Sequence, residues 1–297
     1  MWPIKFYQRL TKTAWWVKLL AYILIISIFS SCSIFDPAEE IPAFLQIDTI
    51  LLSADYEAQG TEYQLFDDAW VFVDNELLGV FPVPSRLPVY NFGDATILIL
   101  PGIKNNNRTD NRTNYPLMEN DTTFVNFVAG QTVNISPEVN YRAGATFKIN
   151  SNFDVTNDFT LTSGNQQLTT TSDANEVFEG NRSLRLKIDT LNPNFAMRTF
   201  DNYTLPSLGE DIYIEMHYKN EASFTVLLAA NFNADPSING AVLNIGPQEN
   251  WTKIYIPLTE IVGTTNAASY TINFEGILPD TLDSAVYLWD NIKLVHN

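Results

Sequence analysis

Few residues in this chain have the type and setting for covalent chemistry. Cys32 is the single cysteine, and His217 and His296 are the two histidines among 297 residues. A Ser-His-Asp triad would need one of those histidines beside a serine on a nucleophile elbow. The sequence contains no Gly-x-Ser-x-Gly. His217 sits in the alternating run Ile212–Tyr218, which reads as a strand with His217 on its polar face. His296 adjoins the C-terminus. Beyond Cys32 no thiol is left for nucleophilic catalysis or a thiolate metal site. Carboxylates remain, and Glu176 with Glu179, or Asp154 with Asp158, would be the pairs for two-carboxylate glycoside hydrolysis. That chemistry is set by the distance between the carboxyl groups, which spacing along the chain does not fix. The residues therefore point to a binding protein rather than an enzyme.

Cys32 has a distinctive setting. Lys5, Arg9, Lys12 and Lys18 occupy a leader that holds no acid. The apolar run Leu19–Phe29 follows, then the small residues Ser30, Ser31, Cys32 and Ser33. A positive segment, a short apolar segment and a small-residue cut site make a secretory signal peptide. The apolar run has 11 residues, well short of the ~20 that span a bilayer as a helix. With Cys at the cut, the segment resembles the lipobox of bacterial prolipoproteins, with Phe29 where the usual Leu stands. That resemblance implies cleavage before Cys32, lipidation of its thiol and an outer-membrane anchor. Residues 32–41 read as a tether. Its acids Asp36, Glu39 and Glu40 resemble the surface-export signal of Bacteroidota lipoproteins, which implies a cell-surface location, the periplasmic face being the alternative.

Charge limits the partners. The whole chain carries 17 Lys and Arg against 34 Asp and Glu; without residues 1–31 the balance is 13 against 34, a formal −21. Such a surface repels nucleic-acid phosphates and anionic headgroups. It is compatible with divalent cations and basic partners.

The elements that must position any site are strands. Ala69–Val73 and Leu77–Phe81 flank Asp74-Asn75-Glu76, a hairpin signal. Ala95–Leu100 alternates into Pro101-Gly102, and Lys104–Asn114 reads as a long polar loop. These features resemble PEGA-like and carboxypeptidase-regulatory-like modules, which implies a small Ig-like or prealbumin-like β-sandwich over 42–145. After residue 146 about eight short strands follow, separated by Gly, Pro and Asn turns, as in a sandwich or jelly roll. Glu176–Lys187, Glu249–Leu258 and Tyr287–Leu294 resemble, in order, three strands of carbohydrate-binding-module jelly rolls. The fold expected is all-β: two sandwiches behind a signal peptide, with 146–297 as the jelly roll.

The second resemblance implies a site. In such jelly rolls the Asp of the last strand helps hold a structural Ca²⁺, which takes hard oxygen ligands. Asp290 would be that residue, with partner oxygens from Asp154 or Asp158 and from the Asp173–Glu179 loop, Glu179 in particular. The other reading is that Asp290-Asn291 makes a bend. No other cofactor is implied. Trp251 and Trp289 lie where such folds bury an aromatic, and no Trp-rich platform for pyranose stacking stands out. The function expected is an accessory, scaffold or adhesion subunit bound to other envelope proteins, the alternative being a surface glycan-binding lipoprotein. An exposed aromatic platform on the second sandwich would favour glycan, and apolar patches would favour protein.

Overall fold

The computed structural model describes residues 15–22, 39–206, 209–233 and 237–297. Cys32 and Asp36, and with them the lipidation site, lie outside the described residues. So does most of the leader, of which residues 15–22 form a helix, α1. No helix among the described residues is long and apolar enough to cross a membrane. Ala43–Asn297 forms one compact unit, which is all-β, with 21 strands and two short helices among its described residues.

The first sandwich begins with β1 (Ala43–Ile47) and β2 (Leu51–Leu52). One layer is a sheet of β4 (Glu76–Pro82), β3 (Asp68–Val73) and β6 (Gly93–Lys104), with β7 (Arg112–Asn114) and β8 (Asp121–Phe127) both pairing with β6. Opposite it lie β5 (Ser85–Val89), β1 and β9 (Thr132–Ile135), with β2 paired to β10 (Glu138–Val139). β1 runs parallel to β9. The expected hairpin forms between β3 and β4, with Asp74 at φ 50° and Asn75 at φ 69°. Short polar side chains tolerate that left-handed backbone, which suits the twist of a two-residue turn. Leu45, Ile47, Val71, Ile97 and Ile99 meet in the core, all 0% exposed. The segment 104–114 is not wholly loop, because the long β6 offers its last residues to Arg112–Asn114 as an antiparallel partner.

The second sandwich joins two sheets. The first orders β13 (Thr169–Thr171), β14 (Ser183–Asp189), β21 (Ser284–His296), β16 (Ile212–Asn220) and β19 (Gln248–Pro257), with β11 (Thr146–Ser151) on the far half of β21. The second orders β12 (Phe159–Ser163), β15 (Asn194–Thr199), β20 (Ser269–Ile277), β17 (Phe224–Asn231) and β18 (Ile238–Ile245). Between them Trp289 stacks on Tyr287 at 5.8 Å and 9°, and on Phe274 at 5.8 Å and 26°. Trp289 is therefore core, as expected. Helix α2 (Tyr56–Gln59) is capped by Asp55, whose side chain accepts from the amides of Glu57 and Ala58. Helix α3 (Thr259–Thr265) follows β19.

Candidate functional site

Both faces of β16 are buried. One packs into the jelly-roll core, and the other is covered by the first sandwich. Tyr213, Tyr255 and Val295, on that outer face, belong to the first sandwich's core cluster. Asn105 bridges to Tyr255. The Tyr255 hydroxyl donates to Gln64 Oε1 at 2.7 Å and accepts from the Leu65 amide at 3.1 Å.

Under this cover lies a charged cluster. Glu215 on β16 pairs across the ladder with Lys293 of β21 and accepts from Lys253 Nζ of β19 at 2.8 Å. Tyr115 and Tyr141 of the first sandwich donate to its Oε1 at 2.5 and 2.9 Å. Lys293 Nζ donates to the Thr61 carbonyl at 3.0 Å and to Tyr141 Oη at 3.2 Å. Burial alone would push Glu215 up, but Lys253, Lys293 and the Lys253 and Tyr115 hydrogen bonds outweigh it and hold the carboxyl at about 2. Burial drives Lys293 down to about 7 against the pull of Glu215. The cluster is saturated by protein groups. It joins the two sandwiches and closes the Glu215–His217 part of this face; beyond it the same face holds a depression of about 470 Å³ at Lys219, Glu249, Val286 and Leu288.

Next along the same face lies His217, 3% exposed, with Phe178 stacked on its ring at 4.0 Å and 18°. Tyr63 and Trp251 pack around Phe178, each at 5.5 Å. The polar face expected for His217 is thus roofed by the 176–183 loop and the first sandwich. Burial, aided by Lys253 and Lys293, holds its imidazole well below the usual range, so it stays neutral. Trp251, expected in the core, instead half-buries itself on this outer face.

The three acids proposed for Ca²⁺ come to this neighbourhood. The pairing of β16 with β21 steps from Glu215–Lys293 to His217–Asp290, and the extra residue on β21 puts Asn291 at φ 49°. Such a bulge re-aims side chains. Asp290 Oδ2 accepts from Ser183 Oγ at 2.6 Å and the Glu179 amide at 3.4 Å, and Oδ1 accepts from the Asn291 amide at 2.8 Å. Asn291 Nδ2 donates to Glu179 Oε2 at 2.8 Å. Asp154 accepts from the Asn181 amide at 2.9 and 3.1 Å. Burial pushes Asp290 up to about 7, and Glu179 adds to the rise. The acids stand as separate hydrogen-bonded groups. Among the described residues no three of His, Cys, Asp or Glu converge as a metal ligand set, so the residues as placed do not fit the ion. The hydrolase pairs are likewise engaged: Glu176 holds Arg185 at 2.9 Å, and Asp158 accepts from Ser151.

The other sheet of the jelly roll is open on its outer face. Register places Asn244, Thr225, Glu275, Ala196 and Ser163 opposite one another across all five strands. Residues directly opposite share a face, so they form one transverse row. Four inter-strand spacings of ~4.8 Å give it a length of about 19 Å. Asn244, Glu275 and Ser163 are exposed, while Thr225 and Ala196 are half-buried. The depression along the row has a volume of about 660 Å³ and is lined also by Phe195, Phe224, Gly276 and Ile277. Asn244 Nδ2 donates to Thr225 Oγ1 at 3.0 Å, while Glu275 takes part in no ion pair among the described residues. A row of amide, hydroxyl and carboxylate groups over a shallow floor can exchange hydrogen bonds with a polyhydroxylated ligand.

No protein-family profile matches the chain, and no curated protein matches it. Solved structures similar to it include carbohydrate-binding modules. A family 11 module from Clostridium thermocellum, in complex with a β-1,3-1,4-mixed-linked tetrasaccharide, is 12% identical. It covers 50% of this chain and 94% of the module at a TM-score of 0.37. A family 30 module of a cellulosomal cellulase from the same organism is 13% identical, over 50% of this chain and 96% of the module, with a TM-score of 0.36. A module from the β-sandwich superfamily, described as promiscuous in specificity, is 13% identical over 76% of this chain and 84% of its own, with a TM-score of 0.38.

Sequence reasoning missed two things here. The buried charges were visible as Glu215, Lys253 and Lys293 inside otherwise apolar strands, a placement that charged residues take only when paired. The open row had no such signal, because Thr, Asn and Ser are ordinary on a solvated strand face.

Proposed function

We propose that this protein is a glycan-binding lipoprotein without catalytic activity of its own, which holds its ligand along the Asn244–Thr225–Glu275–Ala196–Ser163 row. The observation that carries this reading is the contrast between the two outer faces of the jelly roll. One is closed by the first sandwich over its Glu215–His217 part and keeps a smaller depression of about 470 Å³. The other is open across all five strands and presents uncharged donors and acceptors round a single carboxylate in a depression of about 660 Å³. Recognition there rests on hydrogen bonds to sugar hydroxyls. Phe195 and Phe224 line the depression but are buried, so it lacks the stacking surface of an aromatic platform. The layout of residues 1–33 supports lipid attachment at Cys32, and Glu39 and Glu40 support export to the outer-membrane surface. One acyl chain anchors weakly, so stable attachment needs the multiple acylation of a lipoprotein.

The test is a glycan array followed by calorimetry on the purified protein, starting with the mixed-linked tetrasaccharide held by the family 11 module. Glu275→Gln and Thr225→Val should each weaken binding about tenfold, since removing one partner strands a hydrogen-bonding group. Binding untouched by both variants, or turnover abolished by one carboxylate substitution in a hydrolase screen, refutes the reading. A second reading, an accessory or adhesion subunit among envelope proteins, is favoured by the apolar outer face of the first sandwich.

A further inference from the structure

The first sandwich leaves one sheet face uncovered. Register sets Trp70 opposite Val80 and Leu100, and Phe72 opposite Leu98. Thr96 stands opposite Phe124 one row further on. These six apolar side chains share the outer face of the sheet. Phe124 is 81% exposed and Val80 40%, and the other four are half-buried. Monomeric proteins rarely leave so contiguous an apolar patch without use.

The two ends of the patch differ in charge. At one end Asp68 is held by Arg112 Nη1 at 2.5 Å and the adjacent Asp67 by Lys104 at 3.0 Å. At the other end stand Asp74 and Glu76 at the hairpin turn and Asp94 beside the Phe124 row, all exposed. Asp74 accepts from the Thr96 amide and Asp94 from Asn126. None of the three is in an ion pair among the described residues. An apolar strip with one neutralised and one acidic end asks for a partner with apolar side chains and a basic end.

We propose that this face docks a basic amphipathic polypeptide segment, its apolar side chains on Trp70, Phe72, Leu98 and Phe124 and its Lys or Arg groups at Asp74, Glu76 and Asp94. A second copy of this chain fits less well, because each copy carries a formal −17, or −21 without residues 1–31, and brings the same acids. The site lies on the other sandwich from the proposed glycan row and stands independently of it.

The experiment uses the purified protein and three labelled synthetic peptides of equal length: alternating Leu and Lys, alternating Leu and Ser, and alternating Leu and Glu. Anisotropy titrations at low and physiological salt should show tightest binding of the Leu-Lys peptide, weakening with salt. Phe124→Asp should weaken it at least tenfold, and Glu76→Gln with Asp94→Asn should weaken it and flatten the salt dependence. Phe124→Asp is discriminating because it adds negative charge. Attraction to a generally acidic surface would hold or tighten binding in this variant, and that result overturns the proposal. Equal binding of the Leu-Glu peptide also overturns it. So does sedimentation showing a wild-type dimer that Phe124→Asp dissolves, since a second copy would then be the occupant. Phe124 is exposed, so the variant should melt with the wild type. The glycan variant Glu275→Gln should bind the Leu-Lys peptide unchanged.

Discussion

Replacing Asp290 by Asn tests the physical account of the jelly-roll centre most directly. Asp290 is fully buried, and its carboxyl is raised from 3.8 to about 7. In the folded protein the proton is therefore bound across a range in which the unfolded chain has lost it. The stability this contributes is fully present below 3.8 and is lost as pH rises through about 7. Each pKa unit is worth 1.36 kcal/mol, so the ionised form costs the fold about 4 kcal/mol at pH 8 relative to pH 3.5. Asn has the same shape, carries no charge and can still accept from the Ser183 hydroxyl or the Glu179 amide. Asp290→Asn should therefore match the wild type near pH 4 and exceed it by up to about 4 kcal/mol at pH 8, roughly 10 °C in melting temperature. Lys293 also titrates near 7, but it is present in both proteins and drops out of the difference. The assay is thermal or urea unfolding of both proteins at half-unit steps from pH 4 to 8.5, with the difference plotted against pH. A difference flat with pH would refute the reasoning, as would a variant destabilised at pH 8.

Glu215→Gln should destabilise by about 3–5 kcal/mol, because it leaves Lys253 and Lys293 buried without their counter-charge; urea midpoints would check this, and a change under 1 kcal/mol would show the cluster to be hydrated. Trp289→Ala should cost about 3–5 kcal/mol through the cavity it opens against Tyr287 and Phe274, read as a loss of cooperative melting at a lower midpoint. Millimolar Ca²⁺ and chelator should give the same melting temperature, since Asp290, Glu179 and Asp154 are each engaged with protein donors. A rise with Ca²⁺ that Asp290→Asn abolishes would mean that the 176–183 loop rearranges round an ion. Cys32→Ala should abolish acyl labelling and release the protein from the membrane fraction; undiminished labelling would place the lipid elsewhere.

What the sequence determined by itself is the kind of structure. Alternation in Ser183–Ile188 and Ile212–Tyr218, the Asp74-Asn75 turn and the apolar run around Trp289 are local signals. Strands and turns follow from them because side-chain direction in an extended chain repeats every two residues. The approach of Glu179 to Asp290, whose carboxylate accepts from the Glu179 amide at 3.4 Å, was implied only by the resemblance to jelly-roll strands and not by any local pattern. What only the tertiary structure decided is which sheet faces meet water. Alternation marks two faces as different, but it does not say what lies on the second one. Glu215, His217 and Lys253 look solvated on that criterion, and they are buried because Tyr115, Tyr141 and Thr61 arrive from a distant part of the chain; the contact from Lys293 to Thr61 spans 232 residues. The short strand Arg112–Asn114 is a smaller case of the same kind, since its polar residues carry no strand signal and pair only because β6 extends far enough to meet them. Residues so far apart are brought together by the packing of whole sheets, and that packing is fixed by summed burial over many side chains rather than by any local pattern.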